Sequence, residues 1–115
     1  MKVLYENEVK LKLKSLKDEL ISLQGDDKGL KTFKKIVSTV DNLELFSNTG
    51  VPIKEKFDLN CPDNWYLLIV GQNYFVYSIT DTINVLKLYN EKEDFIFDLF
   101  GISMRSQESI DYWGD

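Results

Sequence analysis

Histidine is absent from this 115-residue chain, and cysteine occurs once, at Cys61. These two scarcities exclude much chemistry. A lone cysteine cannot form an internal disulfide, and a structural zinc site would lack its usual Cys and His ligands. Any metal would have to be a hard ion held by carboxylates. Without histidine the commonest general base is gone, and so is every Ser-His or Cys-His nucleophile pair. Proline is also scarce, with two residues, and 29% of the chain is charged, which argues against a disordered segment. Long apolar runs are missing. The longest, Trp65 to Val70, is far too short to cross a membrane, and MKVLYENEVKLK has no apolar core of a signal peptide. The expectation is a cytoplasmic chain with no membrane association and no cofactor.

Apolar residues make up 43% of the chain and include fifteen aromatics, enough to build a core for one domain spanning 1–115. The net charge of −5 is unevenly spread. Residues 1–56 carry eleven Lys against nine Asp and Glu, whereas residues 57–115 carry two Lys and one Arg, Arg105, against ten. An acidic chain is a poor general binder of nucleic acid, because phosphate neutralisation dominates that affinity. Contact with RNA or DNA would need a local basic patch, and the lysine-rich first half is where to look for it.

Lys2 to Tyr5 reads as a short strand, with Asn7 as a candidate N-cap for the helix that follows. Val9, Leu13, Leu16, Leu20 and Leu23 recur at spacings of four and three, placing five side chains on one helix face, with Lys10, Lys12, Lys14 and Lys17 off it. Gly25 should end this helix near Gln24. A second helix is expected from about Lys28, with a stripe of Leu30, Phe33, Val37 and Val40, Ile36 and Leu43 beside it, and Lys31, Lys34 and Lys35 in water. The short gap fits an antiparallel helical hairpin. Ser47 to Gly50 is a loop and Pro52 blocks helix there. Lys54 to Leu59 reads as a strand, followed by a turn at residues 60–64. Trp65 to Val70, Asn73 to Ile79 and Thr82 to Tyr89 are strands joined by links so short that neighbours must run antiparallel. In the last of these, Ile83, Val85 and Leu88 do not alternate cleanly, and the facing of the strand stays open. Glu91 to Phe100 reads as a helix, and Arg105 to Trp113 as a further short one. The fold class is α+β: an N-terminal strand and a helical hairpin packed on an antiparallel meander, with a short C-terminal helix.

That order of elements resembles the RelE/ParE toxin superfamily. The local text that carries the likeness is the apolar strand Trp65–Val70, the turn at Gly71, the strand Tyr74–Ile79, the turn at Asp81, the strand Ile83–Tyr89 and the charged loop from Asn90 to Asp94. Upstream, Leu43 and Leu45 are followed by a Gly-Val-Pro loop and by Lys54-x-Lys56. The likeness covers roughly residues 1–95. It implies a toxin of a type II toxin–antitoxin module from a bacterium or phage. Such a toxin is held inactive by a cognate antitoxin protein, and it poisons translation by cutting mRNA on the ribosome, or poisons gyrase. Family RNases aim cations at the charge that develops on phosphorus. By position the resemblance assigns catalytic roles to Lys54, Lys56 and Lys92, with Tyr89 as the aromatic acid or base. The chain departs from the family pattern at Phe75, where an arginine is usual, and in the acidity of the 90–94 loop. Both departures weigh against ribosome-dependent cleavage and towards a non-catalytic, protein-binding relative, phage-borne or of the immunity type.

Plainer readings exist for the same residues. Lysines on the outward side of an edge strand protect against aggregation, and a Tyr at a strand end is commonly core or rim. Helix lysines commonly solvate a face. Asp94, Asp98, Asp111 and Asp115 match no calcium-loop spacing and read as surface carboxylates. The tail Ile110–Trp113 is either a docking segment or packs back on the core.

Overall fold

The structure, a computed structural model, describes residues 1–93 and 95–100. The expected helix over Arg105–Trp113, the Ile110–Trp113 segment and Asp94 lie outside the described residues. The element order is β1 (Val3–Tyr5), α1 (Asn7–Gln24), α2 (Asp26–Asp41), a 3₁₀ turn (Asn42–Glu44), β2 (Val51–Pro52), α3 (Ile53–Phe57), β3 (Trp65–Val70), β4 (Asn73–Ile79), β5 (Ile83–Asn90) and α4 (Phe95–Phe100). The strands form one five-stranded sheet in the order β1-β5-β4-β3-β2. The β3–β4–β5 meander is antiparallel, and β1 joins it parallel to β5. This is the α+β architecture of strand, helical hairpin and meander that the sequence predicts, with one parallel edge added.

The hairpin is tighter than the apolar stripes suggest. Gly25 alone links the helices, at φ 89°, a conformation that favours glycine. Its N–H donates to Ile21 O (2.9 Å) and its C=O accepts from Gly29 N–H (2.8 Å). Asp26 and Asp27 therefore open α2 instead of filling a loop, and two carboxylates at a helix N-terminus complement its dipole. Asn7 is the first residue of α1, with Glu6 in the cap position. At Gly29 the helices touch: a Cβ there would come within 2.6 Å of Ile21 Cα.

Helices pack on both sheet faces, which fits the apolar run Trp65–Val70: Leu67 and Leu68 point to opposite cores and are buried, while Ile69 is exposed. On one face Val9 of α1 and Ile36, Val40 and Leu43 from the α2 side pack on Leu68, Phe75, Tyr77, Ile83, Val85 and Leu88. Leu13, Leu16 and Leu20 flank this cluster, while Leu23 is exposed. On α2 the buried set is rotated from the expected stripe: Ile36 and Val40 are buried, and Leu30, Phe33 and Val37 are half-buried. On the other face Ile53 of α3 and Phe95 and Ile96 of α4 pack on Leu67, Val76 and Tyr89.

Two local findings bear on the site. First, β5 carries one extra residue. Tyr77 pairs with Val85 and Val76 with Lys87, leaving Leu86 as a β-bulge. The bulge shifts the alternation by one, so Val85 and Leu88 share the hairpin face although three residues apart. Second, the expected strand Lys54–Leu59 is instead the helix Ile53–Phe57. Pro52 caps it, and Asp58, at φ 51°, ends it. Ile53 and Phe57, four apart, both face the second core.

Candidate functional site

The correction in α3 changes the geometry of the first two candidate residues. Residues two apart share a face on a strand, but on a helix they point about 160° apart. Lys54 and Lys56 thus leave α3 in different directions. Lys54 is exposed and pairs with Asp63 at 2.7 Å, a hydrogen bond that raises its pKa. Lys56 is also exposed. α3 stands against β2 and β3, whereas Tyr89 lies on β5, two strands beyond β3. Lys92 occupies the exposed turn after β5, where its backbone N–H donates to Asn90 Oδ1 (2.7 Å). No hydrogen bond or ion pair joins any two of Lys54, Lys56, Tyr89 and Lys92.

Tyr89 has company of a different kind. It is 2% exposed, and its ring lies 6.1 Å from that of Phe95, which also meets Phe57 edge-on at 5.6 Å. Its hydroxyl donates to Asp98 Oδ2 of α4. Burial first, then that bond, then the charges of Asp98, Glu8 and Glu93 push the phenol well above its ordinary pKa. A phenol held protonated is a poor base at neutral pH. Above the ring, 4.9 Å from its centroid, sits Lys12 Nζ, brought by α1. The same ammonium donates to Leu88 O (2.8 Å) and lies 3.7 Å from Glu93 Oε2. Lys87 of β5 pairs with Glu8 of α1 at 2.9 Å.

Along this rim α1 and the end of β5 leave an open cleft of about 220 Å³, lined among others by Lys12, Ser15, Glu19, Asn73, Asn90 and Glu93. The charged residues that line it are Lys12, Glu19 and Glu93, so acids outnumber bases there. Such a balance raises the cost of bringing a phosphate in and suits a polar protein surface better. Among the described residues no three Cys, Asp or Glu side chains gather in a way that would hold a metal ion. No described helix is long and apolar enough to cross a membrane.

Lys12, Glu93 and Asp98 were not singled out from the sequence as partners of Tyr89. Lys12 reads there as one of several wet helix lysines, and its contact with Leu88 spans 76 positions. Periodicity carries no signal at that range.

No protein-family model matches the sequence, and no curated protein matches it. Among solved structures the fold is similar to that of a chain titled "Chromosomal ParDE TA system from P. aeruginosa", with a TM-score of 0.63. The likeness covers 78% of this chain and 95% of the ParDE chain at 19% identity, so what the two share is the architecture.

Proposed function

We propose that this chain is the toxin of a type II toxin–antitoxin module, held inactive by a cognate antitoxin protein, and that it acts by binding its target rather than by cutting mRNA. The observation that carries the reading is the breadth of the fold likeness, which takes in 95% of a chain from a ParDE system. Fold alone hosts many functions, so the choice between binding and cleavage rests on the side chains. Cleavage needs cations aimed at one point and an acid or base free to exchange its proton. Lys54 is held by Asp63, the Tyr89 hydroxyl is spent on Asp98, and Lys92 lies between Glu91 and Glu93. A target that presents protein surface, such as gyrase, fits the mixed, acid-rich rim better than mRNA on the ribosome does.

The test separates the two modes. Wild type and the Lys54→Ala/Lys56→Ala variant are expressed from an inducible promoter, and growth and transcript ends are followed. Both are expected to arrest growth within about tenfold of the same inducer level, with no new mRNA ends. Relief of arrest by the double substitution, together with new transcript ends under wild type, would overturn the binding mode.

A further inference from the structure

The α1–α2 hairpin carries lysines from both helices along one seam. Lys10, Lys14 and Lys17 fall within about 40° of Ile21 around α1, and Ile21 meets Gly29 of α2. These three therefore lie on the flank of α1 that faces its partner helix, opposite to Ser15 and Glu19 of the rim cleft. On α2, Lys28 and Lys35 fall within about 60° of Thr32, whose hydroxyl donates to Gln24 Oε1 of α1 (2.8 Å). Lys31 stands one step further out. With Ile21 level with Gly29 in an antiparallel pair, Lys14 comes level with Lys35. Five of these six lysines are exposed and Lys17 is half-buried. The seam is about 18 Å long, with its two rows about 8–10 Å apart.

Folding gains little from this arrangement. Like charges three and four residues apart on a helix repel, and both lysine rows repeat at those spacings. Lys14 and Lys35 add a like-charged pair across the helices. Asp18 and Asp27 stand four residues from Lys14 and Lys31. Even so, among the described residues none of the six lysines forms an ion pair. Six ammonium groups thus stay open on one side of a chain whose net charge is −5.

We propose that this seam binds duplex DNA through its phosphates, without reading sequence. The composition of the seam selects the ligand. Lysine is depleted at protein interfaces, which are anchored by aromatic residues and arginine, and the seam has neither. Single strands are held by bases stacked on aromatic rings, and Phe33, the one aromatic residue of α1 and α2, is half-buried on the sheet side. Duplex RNA is recognised largely through its 2′-hydroxyls, and Thr32, the hydroxyl between the rows, is already bonded to Gln24. What remains is a set of point charges, which meet phosphate anywhere along a duplex but lack the arginine fork that reads guanine. Duplex DNA presents about ten charges along about 18 Å of its axis. The acid-rich second half confines the contact to this side and keeps it weak. The rim cleft lies on the other flank of α1, so both surfaces are open at once. The inference is independent of the toxin reading.

The experiment follows the fluorescence anisotropy of a labelled DNA duplex of about 20 bp and arbitrary sequence, from about 20 to about 200 mM salt. It compares wild type, Lys14→Ala/Lys35→Ala, and Lys2→Ala/Lys34→Ala, a pair with the same charge change off the seam. Lys34 stands about 160° from Thr32 around α2. Wild type is expected to bind at low salt, with log K falling against log salt at a slope of about −3 to −5. The seam variant should bind at least about tenfold more weakly and lose up to about 1.8 of that slope, while the off-seam pair stays within about threefold of wild type. Lys14→Gln/Lys35→Gln decides the matter if the alanines disturb folding. Competition with a single strand, an RNA duplex of the same sequence and polyglutamate ranks the anions, and the DNA duplex should compete best. The proposal is overturned if wild type leaves the duplex unbound at the lowest salt, or if the seam and off-seam variants lose equally. It is likewise overturned if the RNA duplex, the single strand or polyglutamate binds more tightly than the DNA duplex.

Discussion

Tyr77 and Tyr89 show how much one phenol can hold in place. Tyr77 is fully buried, and its hydroxyl donates to Ser47 O (2.7 Å) while accepting from Gly50 N–H (3.0 Å). It thereby ties the loop before β2 to the centre of the sheet, and a Cβ at Gly50 would meet the hydroxyl at 2.7 Å. Tyr89 ties β5 to α4 through Asp98. Tyr5 donates to Asp41 Oδ1 (2.5 Å), linking β1 to the end of α2. Burial is the largest cause raising the pKa of all three, with a carboxylate partner adding to it at Tyr5 and Tyr89. A phenol with a higher pKa in the folded chain keeps its proton longer there. Its contribution is intact below the ordinary value of about 10 and is lost as pH rises towards the folded value. Alkaline titration followed by tyrosinate absorbance should show a late-ionising fraction among the six tyrosines, and stability to urea should fall above about pH 10. A titration that superimposes on that of the unfolded chain would contradict these assignments.

At the scale of elements, the bulge at Leu86 governs which residues of β5 meet which core. Without it, Leu88 and Tyr89 would exchange faces, because a one-residue slip inverts every side chain beyond it. Deleting Leu86 should therefore abolish cooperative unfolding in urea, whereas Leu86→Ala should cost no more than about 1–3 kcal/mol. A deletion variant as stable as the alanine variant would show that the bulge is dispensable. The same strand explains what was legible in the sequence and what was not. The β3–β4 hairpin was plain, because Gly71-Gln72 is a two-residue turn between apolar runs and Gly71 takes φ 61°. The spacing of Val85 and Leu88 was irregular for a reason that only pairing reveals. Phe57 and Leu59 fit period two while Ile53 and Phe57 fit period four, and so short a segment cannot decide between them. Packing decided it, since a helix lets Ile53 and Phe57 cover one core together. The buried face of α2 is rotated by about one residue from the predicted stripe, because Ile36, Phe33 and Val37 are all apolar and only contact with the sheet ranks them. The candidate site was legible only at Tyr89. Its partners, Lys12, Glu93 and Asp98, depend on long-range approach of α1 or on the C-terminal helix and turn.

At the scale of the molecule, the meander packs against helices on both faces, and an open rim lies between α1 and β5. A toxin of the proposed kind is toxic when made alone and is silenced by its partner. The most direct measurement is the growth of cells induced to make it by itself, and then together with the product of a small reading frame beside its gene. Arrest by the chain alone, relieved by the co-expressed neighbour, is expected. Undisturbed growth with the protein abundant and folded would contradict it.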